Sequence, residues 1–321
     1  YLYSGGRFLN TRKLAKINLK RAEIQYEQTR NEIIFKTRKA FYNFLCAQEK
    51  VYLYRDGLNY AEQVYRERAK QRFSLEEERK LSSFINQFKS QLNISQYEHK
   101  KVKLETLNVM GLELNTEIQL KGELKILLQD VNFEKCLAWA YQYRPELKQI
   151  QVEEEIDLLA INLSLAERYP TIALGANYLF AGQIFPKPEK NWSTSIGVSL
   201  PLFDGWAGWS RVRQRQIQAE QSKLKRAELE DRINLELRQA YDEYYFWQKE
   251  SGYWLDEQKS QEKFFETLKM KWSAGEIKTE QLLDAERDSL SAKVHYLDAI
   301  TNYLIAQAKL EKVMGKSLVE K

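Results

Sequence analysis

The residues of this chain with the strongest claim to chemistry are acidic. Glu280, Asp284 and Asp288 recur every four residues, with Gln281 among them, so on a helix the three carboxylates share one face, a turn apart. Gathered carboxylates repel one another unless water or a cation screens them. With Lys278 and Arg287 as neighbours, the same run also reads as an ordinary solvated face. Other chemistries are poorly served. His99 and His295 are the two histidines, and neither stands in a nucleophile, metal or phosphate-loop motif, so an enzyme is not expected. Cys46 and Cys136 lie far apart without CxxC spacing, which points to neither a disulfide framework nor a metal site, and no cofactor is implied. The 50 Lys and Arg against 45 Asp and Glu leave a net charge of +5, spread along the chain. Only Arg211, Arg213 and Arg215 come near a basic patch, so nucleic acid is not an expected partner.

The elements that carry these residues must be long helices. Thirteen Gly and five Pro among 321 residues fall well below average usage, roughly 12%. All five prolines, Pro145, Pro170, Pro186, Pro188 and Pro201, lie in one central stretch, leaving long segments on either side free of the strongest helix breaker. From Trp206 to Trp272 apolar residues recur at three and four (Leu229, Ile233, Leu237, Ala240, Tyr244, Trp247), which predicts one helix roughly 100 Å long. From Thr279 to Val313, Leu283, Leu290, Leu297 and Leu304 stand seven apart, the spacing of coiled-coil packing. A plain coiled-coil dimer satisfies those heptads as well.

The two halves repeat. Tyr1-Leu2-Tyr3-Ser4-Gly5 aligns with Pro201-Leu202-Phe203-Asp204-Gly205, Arg38-Lys39-Ala40-Phe41 with Arg238-Gln239-Ala240-Tyr241, and Val109-Met110-Gly111 with Val313-Met314-Gly315. Each repeat reads as strand end, long helix, tight turn, shorter returning helix and glycine stop. The expected division is residues 1–5 as the remnant of a first β-hairpin, 6–115 as a helical hairpin, 116–144 as a linker and 145–168 as a stacking helix. A β-hairpin over 169–205, a second helical hairpin over 206–315 and a tail over 316–321 follow. In the second hairpin the turn Ser273-Ala274-Gly275-Glu276-Ile277 has a glycine suited to a helix C-cap, whereas Phe73-Ser74-Leu75-Glu76 in the first has none.

In a chain that is 30% charged, Tyr169 to Pro186 contains no charge. Its alternation argues for a strand rather than a spanning helix: Ile172, Leu174, Ala176, Tyr178 and Phe180 on one face, Thr171, Ala173, Gly175, Asn177 and Leu179 on the other. The next run repeats the pattern, with Trp192, Thr194, Ile196, Val198, Leu200 and Leu202 opposite Ser193, Ser195, Gly197, Ser199 and Pro201, and a loop from Gln183 to Asn191 joins the two. Apolar side chains outward and small or polar ones inward suit a transmembrane β-barrel. A hairpin packed on a helix face satisfies the same alternation. Aromatics near the strand ends (Tyr169, Phe185, Trp192, Phe203, Trp206, Trp209) suit either an interfacial belt or packing at the strand–helix junction.

Arg144-Pro145-Glu146-Leu147, Tyr169-Pro170-Thr171-Ile172-Ala173-Leu174, Leu200-Pro201-Leu202-Phe203-Asp204-Gly205, and Gly275 through Leu282-Leu283-Asp284-Ala285-Glu286, in that order around a two-fold repeat, resemble the TolC-like outer membrane efflux proteins. The resemblance covers essentially the whole chain. It implies a homotrimer with a shared twelve-stranded barrel in the outer membrane of a Gram-negative-type bacterium, and long coiled-coil helices forming a tunnel through the periplasm. It further implies passive export, coupled to a periplasmic membrane-fusion adaptor and an inner-membrane pump, in a tripartite efflux or type I secretion system. By the same resemblance Asp284 is the aperture residue, with Gln281 at a second aperture position and Glu280 and Asp288 beside it. The adaptor would dock on the turn Ser273, Ala274, Gly275, Glu276 and Ile277, and the outer membrane lipid would meet the Ile172 and Trp192 faces. The chain departs from the family at its start, where only Tyr1-Leu2-Tyr3 stands for the first strand hairpin, so it is expected to be a fragment whose single complete hairpin cannot close the barrel. A soluble coiled-coil scaffold or adaptor is the competing expectation.

Overall fold

In the computed structural model, which describes residues 1–69, 74–126, 130–181 and 189–318, the elements are β1 (Tyr3–Ser4), α1 (Arg7–Ala69), α2 (Leu75–Met110), α3 (Phe133–Tyr143), α4 (Pro145–Ala166), β2 (Thr171–Ala181), β3 (Glu189–Ser199), α5 (Ala207–Ser273) and α6 (Thr279–Met314). The chain is mainly helical with one antiparallel sheet in the order β1-β2-β3, the class that proline placement and periodicity imply. The ends of the helices follow local chemistry. Ser74 and Glu77 form a capping box at the start of α2, Ser74 Oγ accepting from the Glu77 N–H at 3.3 Å and Glu77 Oε2 from the Ser74 N–H at 3.1 Å. Pro145 opens α4 at a position where its missing N–H costs nothing. Gly111 and Gly315 close α2 and α6 in the left-handed conformation.

Two compact units are present. The first comprises Tyr1–Thr29 and Arg144–Ile233. In it α4 buries Leu147, Ile150, Val152 and Leu159. Polar ties fix its flanks: Gln28 Nε2 donates to Gln149 Oε1 at 2.7 Å on the α1 side, and Ser222 Oγ donates to Asp157 Oδ2 at 2.5 Å on the α5 side. The second unit comprises Arg30–Tyr143 and Asn234–Lys321. Its helices bury Leu107, Leu237, Leu310 and Met314 completely, together with Tyr244 and Tyr303, whose hydroxyls meet at 3.1 Å. A second apolar cluster joins Val64 of α1, Leu81 and Phe88 of α2, Phe265 of α5, and Leu282 and Leu283 of α6. Each fully buried leucine there contributes about 1.5–3 kcal/mol through removal from water.

The structure adjusts several expectations. β3 begins at Glu189, inside the expected loop, and ends at Ser199, because Pro201 has no N–H to extend the ladder. Leu200 and Leu202, expected on a strand face, therefore lie past its end, half and almost fully exposed. Phe73, Phe185 and the rest of the loop from Gln183 to Pro188 lie outside the described residues. The segment expected as a linker contains α3, signalled by Asn132, whose Oδ1 accepts from the Glu134 N–H at 2.7 Å, and by Cys136 and Ala140, both fully buried. Cys46 and Cys136 are free thiols. Among the described residues no helix is long and apolar enough to cross a membrane.

Candidate functional site

The register of β2 on β3 decides which side chains share a face. Ile172 stands opposite Val198, Leu174 opposite Ile196, and Tyr178 opposite Trp192; Thr171 stands opposite Ser199, Ala173 opposite Gly197, Gly175 opposite Ser195, and Asn177 opposite Ser193. Directly opposed residues lie on the same side of a sheet, so one face is large and apolar, with Ala176 and Thr194 as its small pair, and the other is small and polar. β1 continues this division, Tyr3 pairing with Ile172 and Ser4 with Thr171. Phe180 pairs with Lys190. The apolar face is bare: Leu174 is 50% exposed, Tyr178 65%, Trp192 78%, Ile196 70% and Val198 69%. A hairpin lying on a helix would hide that face, so this expectation is corrected.

The acidic face begins where α6 begins. Glu280 accepts from Lys80 Nζ of α2 at 3.1 Å. Asp284 and Asp288 share one cation, Arg287, at 2.9 Å and 3.2 Å, and its guanidinium lies 5.8 Å from the Phe84 ring centre. Gln281 has a structural task as well: its Oε1 accepts from the Lys278 N–H at 3.1 Å and caps α6. The inward side of the same helix turn is Leu282, Leu283 and Ala285 in the apolar cluster, which fixes the carboxylates outward. Between α5 and α6, the Gly275 N–H donates to the Trp272 carbonyl at 2.9 Å and the Glu276 N–H to the Lys271 carbonyl at 2.9 Å. This paired closure requires positive φ at Gly275, here 78°. Trp272 Nε1 donates to Thr279 Oγ1 across the turn at 3.1 Å. Ser273, Ala274, Gly275 and Glu276 are exposed, whereas Ile277 packs against the apolar cluster and so belongs to the anchor of the turn rather than its outer surface.

The outer membrane efflux protein family model matches residues 138–316, more than half of the chain. The chain belongs to the outer membrane efflux protein family. Solved structures agree in fold at low identity. A membrane protein from Pseudomonas aeruginosa superposes with TM-score 0.81 at 16% identity, covering 97% of this chain and 74% of that one. The Campylobacter jejuni CmeC outer membrane channel gives 0.79 at 16%, covering 97% and 68%. The open state of the Neisseria gonorrhoeae MtrE outer membrane channel gives 0.82 at 15%, covering 98% and 72%. No curated protein matches.

Efflux proteins of this family are channels, not enzymes, and the histidines of this member are packing residues. His295 stacks on Trp254 at 4.4 Å between ring centres, and His99 leans on Phe44 at 5.0 Å, its pKa lowered first by burial and then by Lys103. Burial pushes the Cys46 and Cys136 thiols up to about 11. Among the described residues no group of three or more His, Cys, Asp or Glu is placed to hold a metal. Two features of this efflux protein escaped sequence reasoning. Lys80, the partner of Glu280 on the acidic face, needs a register between α2 and α6 that no local pattern reports. Trp206 is held at φ 67°, the one non-glycine residue with positive φ among those described. That conformation costs about 1–2 kcal/mol for an L residue. The Asp-Gly pair ahead of it was a visible sign of a tight turn.

Proposed function

We propose that the chain is the protomer of a homotrimeric export channel of the bacterial outer membrane. β2 and β3 span the bilayer as part of a shared twelve-stranded barrel, and the long helices line a conduit through the periplasm. The observation that carries this reading is the bare, two-faced sheet. Eleven-residue strands at about 3.3 Å per residue, tilted about 45°, rise roughly 25 Å, the height of a barrel's apolar band. Exposed large apolar side chains on one face need lipid to cover them, and the small polar ones on the other suit a wet lumen. The same exposure argues against a soluble scaffold. Matched lengths support a two-fold repeat of helical hairpins: 63 and 67 residues for α1 and α5, and 36 each for α2 and α6.

Transport on this reading is passive, so no bond is made and an energised inner-membrane pump supplies direction. Asp284, with Glu280 and Asp288 beside it, rings the narrow end of the conduit in three copies. The exposed turn from Ser273 to Glu276 meets the helical hairpin of a periplasmic adaptor in a tripartite efflux or type I secretion assembly. The test is electrical. Full-length protein in a planar bilayer should open stable, ohmic conductance steps and cross-link as a trimer; a folded trimer that conducts nothing overturns the reading.

A further inference from the structure

Trp206 sits where a glycine belongs. In the turn Asp204-Gly205-Trp206-Ala207 both central residues have φ of 67°, and past the opposite edge strand, at the same end of the sheet, the turn Ser4-Gly5-Gly6-Arg7 meets the same demand with two glycines, at 61° and 83°. A side chain in this conformation is strained wherever it points. The turn is held without the indole. The Asp204 carbonyl accepts from the Ala207 N–H at 3.3 Å, and Asp204 Oδ2 accepts from the Gly208 N–H at 2.6 Å while pairing with Arg211 at 3.5 Å. The indole in turn takes little from the fold. It is 67% exposed, and the ring it meets, Phe203 edge-on at 6.3 Å, is itself 77% exposed. A strained, outward aromatic whose own chain leaves it bare has its partner elsewhere.

Position and chemistry together name that partner. Trp206 lies seven residues past the end of β3 and immediately before α5, so if the strands fill the apolar band, the turn falls outside it on the helix side. An indole is the side chain best suited to that boundary, with a flat apolar body for the acyl chains and an N–H for headgroup oxygens. We infer that Trp206, seconded by Phe203, anchors the strand-to-helix junction in the headgroup boundary of the membrane and thereby sets the depth of the sheet. The inference rests on the reading of β2 and β3 as bilayer-spanning. Between the apolar sheet face and Trp206 the chain carries Leu200, Leu202 and Phe203, all exposed, and a run of exposed apolar residues from strand to turn favours lipid over a second copy of the chain.

Full-length protein in vesicles of phosphatidylethanolamine and phosphatidylglycerol, doped with lipid brominated either near the headgroup or deep in the acyl chain, separates the possibilities by tryptophan emission. Trp206→Phe should remove the component quenched by shallow bromine, and Trp192→Phe, three residues inside β3, a component quenched by deeper bromine. If Trp192→Phe behaves so while Trp206→Phe leaves the quenching profile unchanged, the anchor is wrong and the membrane reading stands. If neither substitution alters quenching, the membrane reading fails and the anchor with it. Trp206→Gly adds a readout that a structural role would reverse. Freed of strain, it should melt at the same or a higher temperature than the wild type in detergent, and at a lower temperature in vesicles. A lowered melting temperature or loss of the trimer in detergent would assign Trp206 to the fold or to a neighbouring copy, and would overturn the inference.

Discussion

Removing Arg287 should sharpen the charge selectivity of the channel without unfolding it. On the acidic face Lys80 is shared by Glu280 and Glu76, and Arg287 alone serves both Asp284 and Asp288. Two aspartates against one arginine leave one net negative charge per chain, three around a trimer; Arg287→Gln doubles that. The pairs broken are about half exposed, so their loss costs on the order of 0.5 kcal/mol, too little to disturb assembly. A permeant ion passing roughly 8 Å from each of three uncovered charges feels about 0.5 kcal/mol per charge in water, halved at 0.1 M salt. The sum separates cation from anion by about 1.4 kcal/mol, roughly a tenfold gain in the cation-to-anion permeability ratio. Asp284→Ala removes the surplus charge, so it should lower the ratio by a similar factor and raise ion leakage. Reversal potentials under a salt gradient across a planar bilayer measure both. Unchanged potentials in both variants would show that this face does not line the constriction.

Other consequences are less tied to the lumen. Leu282→Ala, in a fully buried site of the cluster under the acidic face, should cost about 2–5 kcal/mol, read as an earlier thermal or denaturant transition; a shift within error would mean the cluster does not form. Burial holds the Glu286 carboxyl above its ordinary 4.5, against the pull of Lys293 and Lys269. A carboxyl raised in the fold contributes stability in acid and loses it as pH rises through the raised value. Glu286→Gln should therefore leave the melting temperature unchanged well below that ordinary value and increase it at neutral pH; a neutral-pH loss would contradict the assignment. The thiols of Cys46 and Cys136, pushed up to about 11 by burial, should resist alkylation in the native protein and react only on denaturation.

How much of this was legible in sequence depends on the range of the physics involved. Ile172, Leu174 and Tyr178 declared a strand because a period of two is local, and Gly111, Gly275 and Gly315 declared helix stops because the left-handed conformation excludes most other residues. The end of β3 went astray by a few residues because Pro201 stops a ladder before it stops an alternation. α3 was missed because an eleven-residue helix gives few turns of pattern, with Asn132 as its one local mark. The meaning of Asp284 was the least accessible. The acidic face was visible at four-residue spacing, but its balance depends on Lys80, 200 positions away, and on Arg287 turning to serve both aspartates. Ile277 read as part of an exposed turn, yet an isoleucine one residue from a helix start is drawn into whatever apolar surface the partner helices offer.

Export through a barrel requires the two faces of β2 to meet different solvents. Single cysteines at Ile172, Leu174 and Tyr178, and at Ala173, Gly175 and Asn177, in full-length protein whose Cys46 and Cys136 stay silent, should divide by parity in lipid vesicles. The first set should react with a membrane-dissolved maleimide and the second with a water-soluble, charged one. If both sets react equally with the charged reagent, the sheet lies in water and the chain does not form a membrane channel through this hairpin.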